Sequence, residues 1–126
     1  MKVLNMTIHT LTPSQIEDGG IESSEEVKNE IKEYLLIKEI PKYKDLLRDR
    51  ARNFAKLCKR LVSEYEGYVA VLIGSGTPSI QPYIVEKLKS LKVVYVYSHS
   101  ERNCIETHNE DGTVSKNYIF EHKGWY

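Results

Sequence analysis

Hydrophobic residues come in short runs separated by polar, turn-forming clusters, and the spacing within each run predicts its element. Lys2 to Ile8 (KVLNMTI) alternates only in part and is bounded by polar residues, which reads as a buried strand. Thr12 then stands at an N-cap position, with Pro13 at the first helical position and Gln15 three residues after the cap. That is a capping box opening a short helix, which Gly19-Gly20 closes. Ser23 and Glu26 form a second box ahead of Val27, Ile31, Tyr34 and Leu35, which recur at helical spacing until Pro41 ends the segment. Leu35 to Ile37 reads equally as a short strand.

A longer helix is predicted from Tyr43 to Tyr65, its buried stripe marked by Leu47, Phe54, Cys58, Leu61 and Tyr65, with Ala51 and Val62 beside it. Tyr68 to Ile73 is an almost unbroken apolar, β-branched run, the pattern of a central parallel strand covered on both faces. Pro78 to Leu91 is helical, with Ile80, Ile84, Leu88 and Leu91 on one face and Thr77-Pro78 repeating the Thr-Pro opening of the first helix. Val93 to Tyr97 is a further strand, which Ser98-His99-Ser100 leaves. The remainder reads as a hairpin, Arg102 to Thr107 and Thr113 to Glu121 around a turn at Glu110-Asp111-Gly112, with His122, Gly124 and Trp125 in a tail.

Strand, helices, strand, helix, strand is a βαβ order. It predicts an α/β, Rossmann-like fold: a mainly parallel central sheet flanked by helices, with a C-terminal β-hairpin that extends or flanks it. The length of 126 residues fits one domain, residues 1–126, with enough chain for a single core.

Composition narrows the function. With 18 basic and 18 acidic residues the net charge is zero, which argues against coating long nucleic acid. No apolar run approaches the roughly 20 residues that cross a bilayer, and Met1-Lys2-Val3-Leu4-Asn5 lacks the features of a secretory signal. The two cysteines, Cys58 and Cys104, form no CxxC, and no histidine pair has metal-ligand spacing beside a carboxylate, so neither a disulfide framework, a metal site nor a cofactor is expected. A cytoplasmic location follows as the default. Cys104 reads as core or edge packing and His108 as solvent-exposed. Between Lys42 and Arg60, eight basic residues face two acidic ones; this is a solvated face balanced by the acidic stretch Glu17 to Glu39, or a surface for an anionic partner.

In open α/β sheets ligands bind beyond the carboxyl ends of the strands. Three stretches should meet there: Thr7 to Thr12, Gly74 to Ser79 and Ser98 to Arg102. They carry many hydroxyls (Thr7, Thr10, Ser75, Thr77, Ser79, Ser98, Ser100), two histidines (His9, His99), Arg102 and the glycines Gly74 and Gly76. Hydroxyls, free amides and one arginine suit phosphate and ribose better than an apolar guest. Gly74-Ser75-Gly76-Thr77-Pro78 offers amides and a helix N-terminus to an anion, but it is neither a Walker loop nor GxGxxG. A tight capped turn explains it equally well. No GxSxG elbow marks a serine nucleophile. Tyr83, Tyr95, Tyr97 and Tyr118, among nine tyrosines, border the predicted pocket as core residues or as stacking faces for a base.

The assembled pattern, His9-Thr10-Leu11-Thr12-Pro13-Ser14-Gln15-Ile16-Glu17-Asp18, Gly74-Ser75-Gly76-Thr77-Pro78, Ser98-His99-Ser100-Glu101-Arg102, Asp111-Gly112-Thr113 and Phe120-Glu121-His122-Lys123-Gly124, resembles the small stand-alone CRISPR-associated Rossmann-like proteins of type III systems and phages. The likeness covers both ends and the centre and is weak between Gly19 and Arg60. It implies recognition of a nucleotide second messenger, a cyclic oligoadenylate or a related ADP-ribose-derived signal, in a bacterial or phage-infected cell. Without an output domain, such a protein acts as a sponge that dampens antiviral signalling, or as a metal-independent ring nuclease. By the resemblance, His9, Thr10, Thr12, Gly74, Ser75, Gly76, Thr77, Ser98, Ser100 and Arg102 contact the ligand. Thr7 joins them from its place in the first stretch. Ser75 stands where relatives often carry a second glycine. If the protein cleaves, His9 or His99 serves as base and Arg102 stabilises charge. A two-fold ligand predicts a homodimer or higher homo-oligomer. An interaction domain with an empty pocket is the remaining reading.

Overall fold

A computed structural model of the chain describes residues 1–41 and 45–126. Four short strands form one parallel sheet: β1 (Lys2–Asn5), β2 (Gly20–Ile21), β3 (Val69–Leu72) and β4 (Tyr95–Val96), in the order β2-β1-β3-β4. The helices are α1 (Pro13–Glu17), α2 (Glu25–Leu35), α3 (Asp45–Val62) and α4 (Gln81–Ser90), the last entered through a 3₁₀ turn at Pro78–Ile80. The chain ends in an antiparallel hairpin, β5 (Ser98–His108) and β6 (Val114–Trp125), which forms its own two-stranded sheet. The fold is thus the expected α/β class, a mainly parallel sheet flanked by helices with a C-terminal hairpin. No helix among the described residues is long and apolar enough to cross a membrane.

Alternation along the strands divides the core. Leu4, Val69, Val71 and Ile73 pack with Ile31 and Leu35 of α2, Phe54, Leu57 and Cys58 of α3, and Ile84 and Leu88 of α4. Val3, Ala70, Leu72 and Val96 face the opposite layer, where Leu11 and Trp125 close a smaller cluster. Burial pushes the Cys58 thiol far above its ordinary pKa, which makes it a packing group. Cys104, expected in the interior or at an edge, is exposed on the hairpin, as is His108 at its tip.

Several boundaries differ from the sequence expectations, some for a local and some for a tertiary reason. β1 stops at Asn5 rather than Ile8, because the buried Asn5 side chain accepts from the amide and hydroxyl of Thr7 (3.0 and 2.7 Å) and turns the chain. The α2 cap is Ser24, whose Oγ accepts from the Val27 amide at 3.2 Å; the Ser23 hydroxyl is buried without a partner. We therefore expect Ser24→Ala to lower stability by about 1 kcal/mol and Ser23→Ala to leave it unchanged or raise it, read as urea midpoints. Residues 35–37 are not a strand, and α2 ends before Pro41, because Leu35 O accepts from the Thr77 amide and the Ile37 amide donates to Thr77 Oγ1, both at 2.9 Å.

The predicted α3 start at Tyr43 lies outside the described residues. The helix ends at Val62, leaving Tyr65 outside its stripe and exposed. The hairpin begins at Ser98 rather than Arg102 and runs through His122 and Trp125, which are strand residues and not a tail. Tyr97 and Tyr126 exchange backbone hydrogen bonds at its base (2.7 and 2.9 Å).

Candidate functional site

The order β2-β1-β3-β4 reverses chain direction of growth between β1 and β3, and a cleft of about 280 Å³ opens at their carboxyl ends. Thr7, His9, Thr10, Gly74, Ser75 and Ser98 line it, so all three anticipated stretches contribute. Tyr97 and Tyr126 add aromatic faces at one wall, their ring centroids 5.7 Å apart. Burial, then the neighbouring Tyr95 and Tyr126, raises the Tyr97 pKa and keeps its phenol neutral. A larger cavity, about 610 Å³, lies beyond the end of α2, but Arg50 already occupies the carbonyls of Glu33 and Leu36 there. The convergent polar groups sit in the smaller cleft.

Other predicted residues have different duties. Thr12 caps α1, accepting from the Gln15 amide, while Gln15 Oε1 accepts from the Thr12 amide at 2.8 Å. Thr77 does not cap its own helix with its side chain; it receives the Ile37 amide. Gly76 was expected to admit a ligand to the backbone, but its Cα lies against α2: an added Cβ would sit 2.7 Å from Leu35 Cβ and 2.8 Å from Leu35 O, and its φ is +97°. Ser100 is exposed on β5, 3.4 Å from Ser98 Oγ. His99 rests against Tyr126, and Arg102 stands out on the hairpin with its guanidinium 3.7 Å from the Tyr118 ring centroid. Neither borders the cleft, so the trio His9, His99 and Arg102 is not gathered there.

The loop after β1 is held by a polar network that periodicity does not reveal. Asn5 Nδ2 donates to His9 O and to Glu22 Oε1, both at 2.7 Å. Lys28, itself buried, donates to His9 O (2.9 Å) and pairs with Glu22 Oε1 (2.7 Å). Glu22 Oε2 takes the Leu11 amide at 2.7 Å, and Ser75 Oγ takes the Ile8 amide at 3.1 Å, locking this loop to the one after β3. Burial pushes the Glu22 carboxyl up, but hydrogen bonds from Lys28, Leu11 and Asn5, with the Lys28 charge, outweigh it and leave the pKa below the ordinary value.

A carboxyl lowered on folding contributes stability above its unfolded pKa and loses it as pH falls through the folded one. Glu22 therefore stabilises at neutral pH and ceases to do so in acid. We expect Glu22→Gln to reduce the wild-type fall in thermal midpoint below the ordinary carboxylate range; parallel curves for both chains would refute this.

What the cleft offers an anion is backbone. The Gly74 and Ser75 amides donate to no described residue, and among the described residues no lysine or arginine lines the cleft. Among the described residues, no group of three His, Cys, Asp or Glu is placed to hold a metal ion.

Sequence reasoning missed a second constellation at the cleft mouth. Ser98 Oγ lies 2.7 Å from His122 Nδ1, and His122 Nε2 lies 2.9 Å from Asp18 Oδ2. Asp18 ends α1, Ser98 opens β5 and His122 sits on β6, so 104 residues separate the acid from the histidine. The one trace in the chain was Gly124 inside a strand-forming run, beside the β-bulge that the structure places near His99/Ser100.

A family model described as the uncharacterized protein MJ1673 family matches residues 1–126. The chain belongs to that family. No curated protein and no solved structure matches it.

Proposed function

We propose that the chain binds a small phosphorylated adenine nucleotide at the carboxyl ends of β1 and β3 and sequesters it, as a sponge for a cyclic oligoadenylate or a related ADP-ribose-derived signal. The observation that carries the reading is the pair of free amides at Gly74 and Ser75, which donate to no described residue, at the switch point of a parallel sheet and ahead of α4. Phosphate charge is met there by N–H dipoles instead of side-chain cations. Tyr126, 71% exposed, offers its face to a base, a contact worth roughly 1–3 kcal/mol.

The cleft volume of about 280 Å³ suits one nucleotide unit. A cyclic ligand is then shared between copies of the chain related by a two-fold axis. Exposed Tyr118, Ile119 and Phe120 on the hairpin favour such association.

Calorimetry with cyclic oligoadenylates, cyclic dinucleotides and cyclic ADP-ribose products tests the proposal. We expect one class to bind, with one ring for two chains, and the ligand to be recovered intact after the protein is denatured. A Tyr126→Ala chain should bind that class about tenfold or more weakly. A panel without heat change would end the reading, and linear products would replace sequestration by cleavage.

A further inference from the structure

Ser98, His122 and Asp18 form a chain of hydrogen bonds ordered as a nucleophile, a base and an orienting acid: 2.7 Å from Ser98 Oγ to His122 Nδ1 and 2.9 Å from His122 Nε2 to Asp18 Oδ2. The His122 side chain is 3% exposed, so its imidazole is held between its two partners. Trp125 covers one face, with ring centroids 4.3 Å apart. With its Nε2 proton donated to Asp18, the imidazole presents the Nδ1 lone pair to the Ser98 hydroxyl. Gln15 Nε2 donates to Ser98 Oγ at 3.2 Å, which aims the hydroxyl proton at the imidazole.

The local fold explains how the three meet. Ser98 pairs with Trp125 and Ser100 with His122, so one extra residue lies on β6 between those pairs. That bulge places His122 on the same face of the hairpin as Ser98, and bulges commonly re-aim a side chain in this way. Ser98 also lines the cleft that contains the Gly74 and Ser75 amides. Those unpaired donors are the groups that a developing oxyanion needs.

We propose that Ser98 is an activated nucleophile, with His122 as its general base and Asp18 as the positioning acid, and that the cleft mouth hydrolyses small carboxylic esters. Ser98 Oγ bonds to the ester carbonyl carbon while its proton passes to His122 Nδ1. The ester C–O bond breaks, and the departing alkoxide takes that proton. Water then attacks the acyl-serine and gives one proton to His122 Nδ1; the acyl C–Oγ bond breaks, Ser98 Oγ takes that proton, and the carboxylic acid leaves and ionises to solvent. No oxidant, reductant or metal enters. The inference goes beyond nucleotide binding and does not need a nucleotide in the cleft.

The same contacts have a purely structural reading. Asp18 also accepts the Trp125 indole N–H through its backbone carbonyl at 3.0 Å, so the group staples the hairpin to α1. Covalent labelling separates the two readings. The folded full chain is treated with an alkyl fluorophosphonate, in which Ser98 Oγ would displace fluoride from phosphorus, and adducts are mapped by peptide mass. We expect a single adduct on Ser98, none in Ser98→Ala, and labelling slowed at least about 100-fold in His122→Gln. Asp18→Asn should slow it about tenfold, since that carboxylate is 51% exposed and its pull on the imidazolium is screened. With p-nitrophenyl acetate, wild type should release a burst of one nitrophenolate per chain and carry an acetyl group on Ser98.

Absence of the Ser98 adduct in folded wild type, or equal labelling rates in wild type and Asp18→Asn, overturns the proposal and leaves the staple alone. Asp18→Asn retains the carbonyl contact to Trp125, so it decides the matter if His122→Gln fails to fold. Nucleotide calorimetry on Asp18→Asn, a position that does not line the cleft, reads the binding proposal separately, so either can fail without the other.

Discussion

Replacing Gly76 by alanine is expected to destabilise the protein by about 3 kcal/mol, seen as a fall in thermal midpoint on the order of 10 °C. Two costs combine. The residue holds φ +97°, where an L side chain is strained, and its Cβ would lie 2.7 Å from Leu35 Cβ and 2.8 Å from the Leu35 carbonyl oxygen. That oxygen also accepts the Thr77 amide at 2.9 Å, so retreat of α2 breaks a hydrogen bond at its own end. Gly67→Ala is the control: its φ is +80° with nothing within 4 Å of an added Cβ. It should cost only the conformational part, about 1 kcal/mol. Equal losses at the two positions would show that the contact with α2 carries no weight. Loss of ligand binding in a Gly76 variant therefore reports on folding as much as on phosphate recognition.

Asn5→Ala should cost a similar amount, about 3 kcal/mol. Asn5 is fully buried, and its amide satisfies four groups: the Thr7 amide and hydroxyl, the His9 carbonyl and Glu22. Alanine removes those partners and leaves the buried ones unpaired where water does not replace them. The loss extends beyond stability, because the same bonds fix the loop that carries His9 and Thr10 into the cleft. Faster hydrogen exchange at residues 7–11 should accompany the lower urea midpoint. Exchange confined to β1 itself, with the loop still protected, would refute this account. Asn5→Asp tests the charge: its second oxygen cannot donate to His9 O or Glu22, and it should be as damaging as alanine.

The sequestration and esterase proposals use adjoining parts of one cleft and share part of its lining. Gly74 and Ser75 amides are common to both, since either a phosphate or an oxyanion needs unpaired N–H donors. Tyr126 belongs to nucleotide capture. His122 and Asp18 belong to ester chemistry, and neither touches the β3 turn through a hydrogen bond.

How much was legible from the chain alone is clearest in particular elements. Val69 to Leu72 declared itself by four consecutive apolar residues, and all four are buried in a strand paired on both sides. Thr12-Pro13-Ser14-Gln15 declared α1 with its capping box, because those contacts span three residues. β2 went unseen: a two-residue strand, Gly20–Ile21, has no periodicity and exists only because β1 offers its edge. The helical spacing of α2 was readable, but its end was not, since Thr77 from a distant loop caps it.

What the order of residues determined by itself was the set of local devices: which segments bury a face, where helices begin, and that three hydroxyl-rich stretches follow parallel strands. Those depend on neighbours within a few positions, so hydrophobic period and cap chemistry encode them. Only the tertiary structure decided which polar side chains meet. It sent Arg102 outward onto Tyr118, pressed Gly76 against Leu35, and drew Asp18 and His122 together across 104 residues. Such encounters are set by strand register, one bulge and loop closure, none of which leaves a periodic trace in the chain.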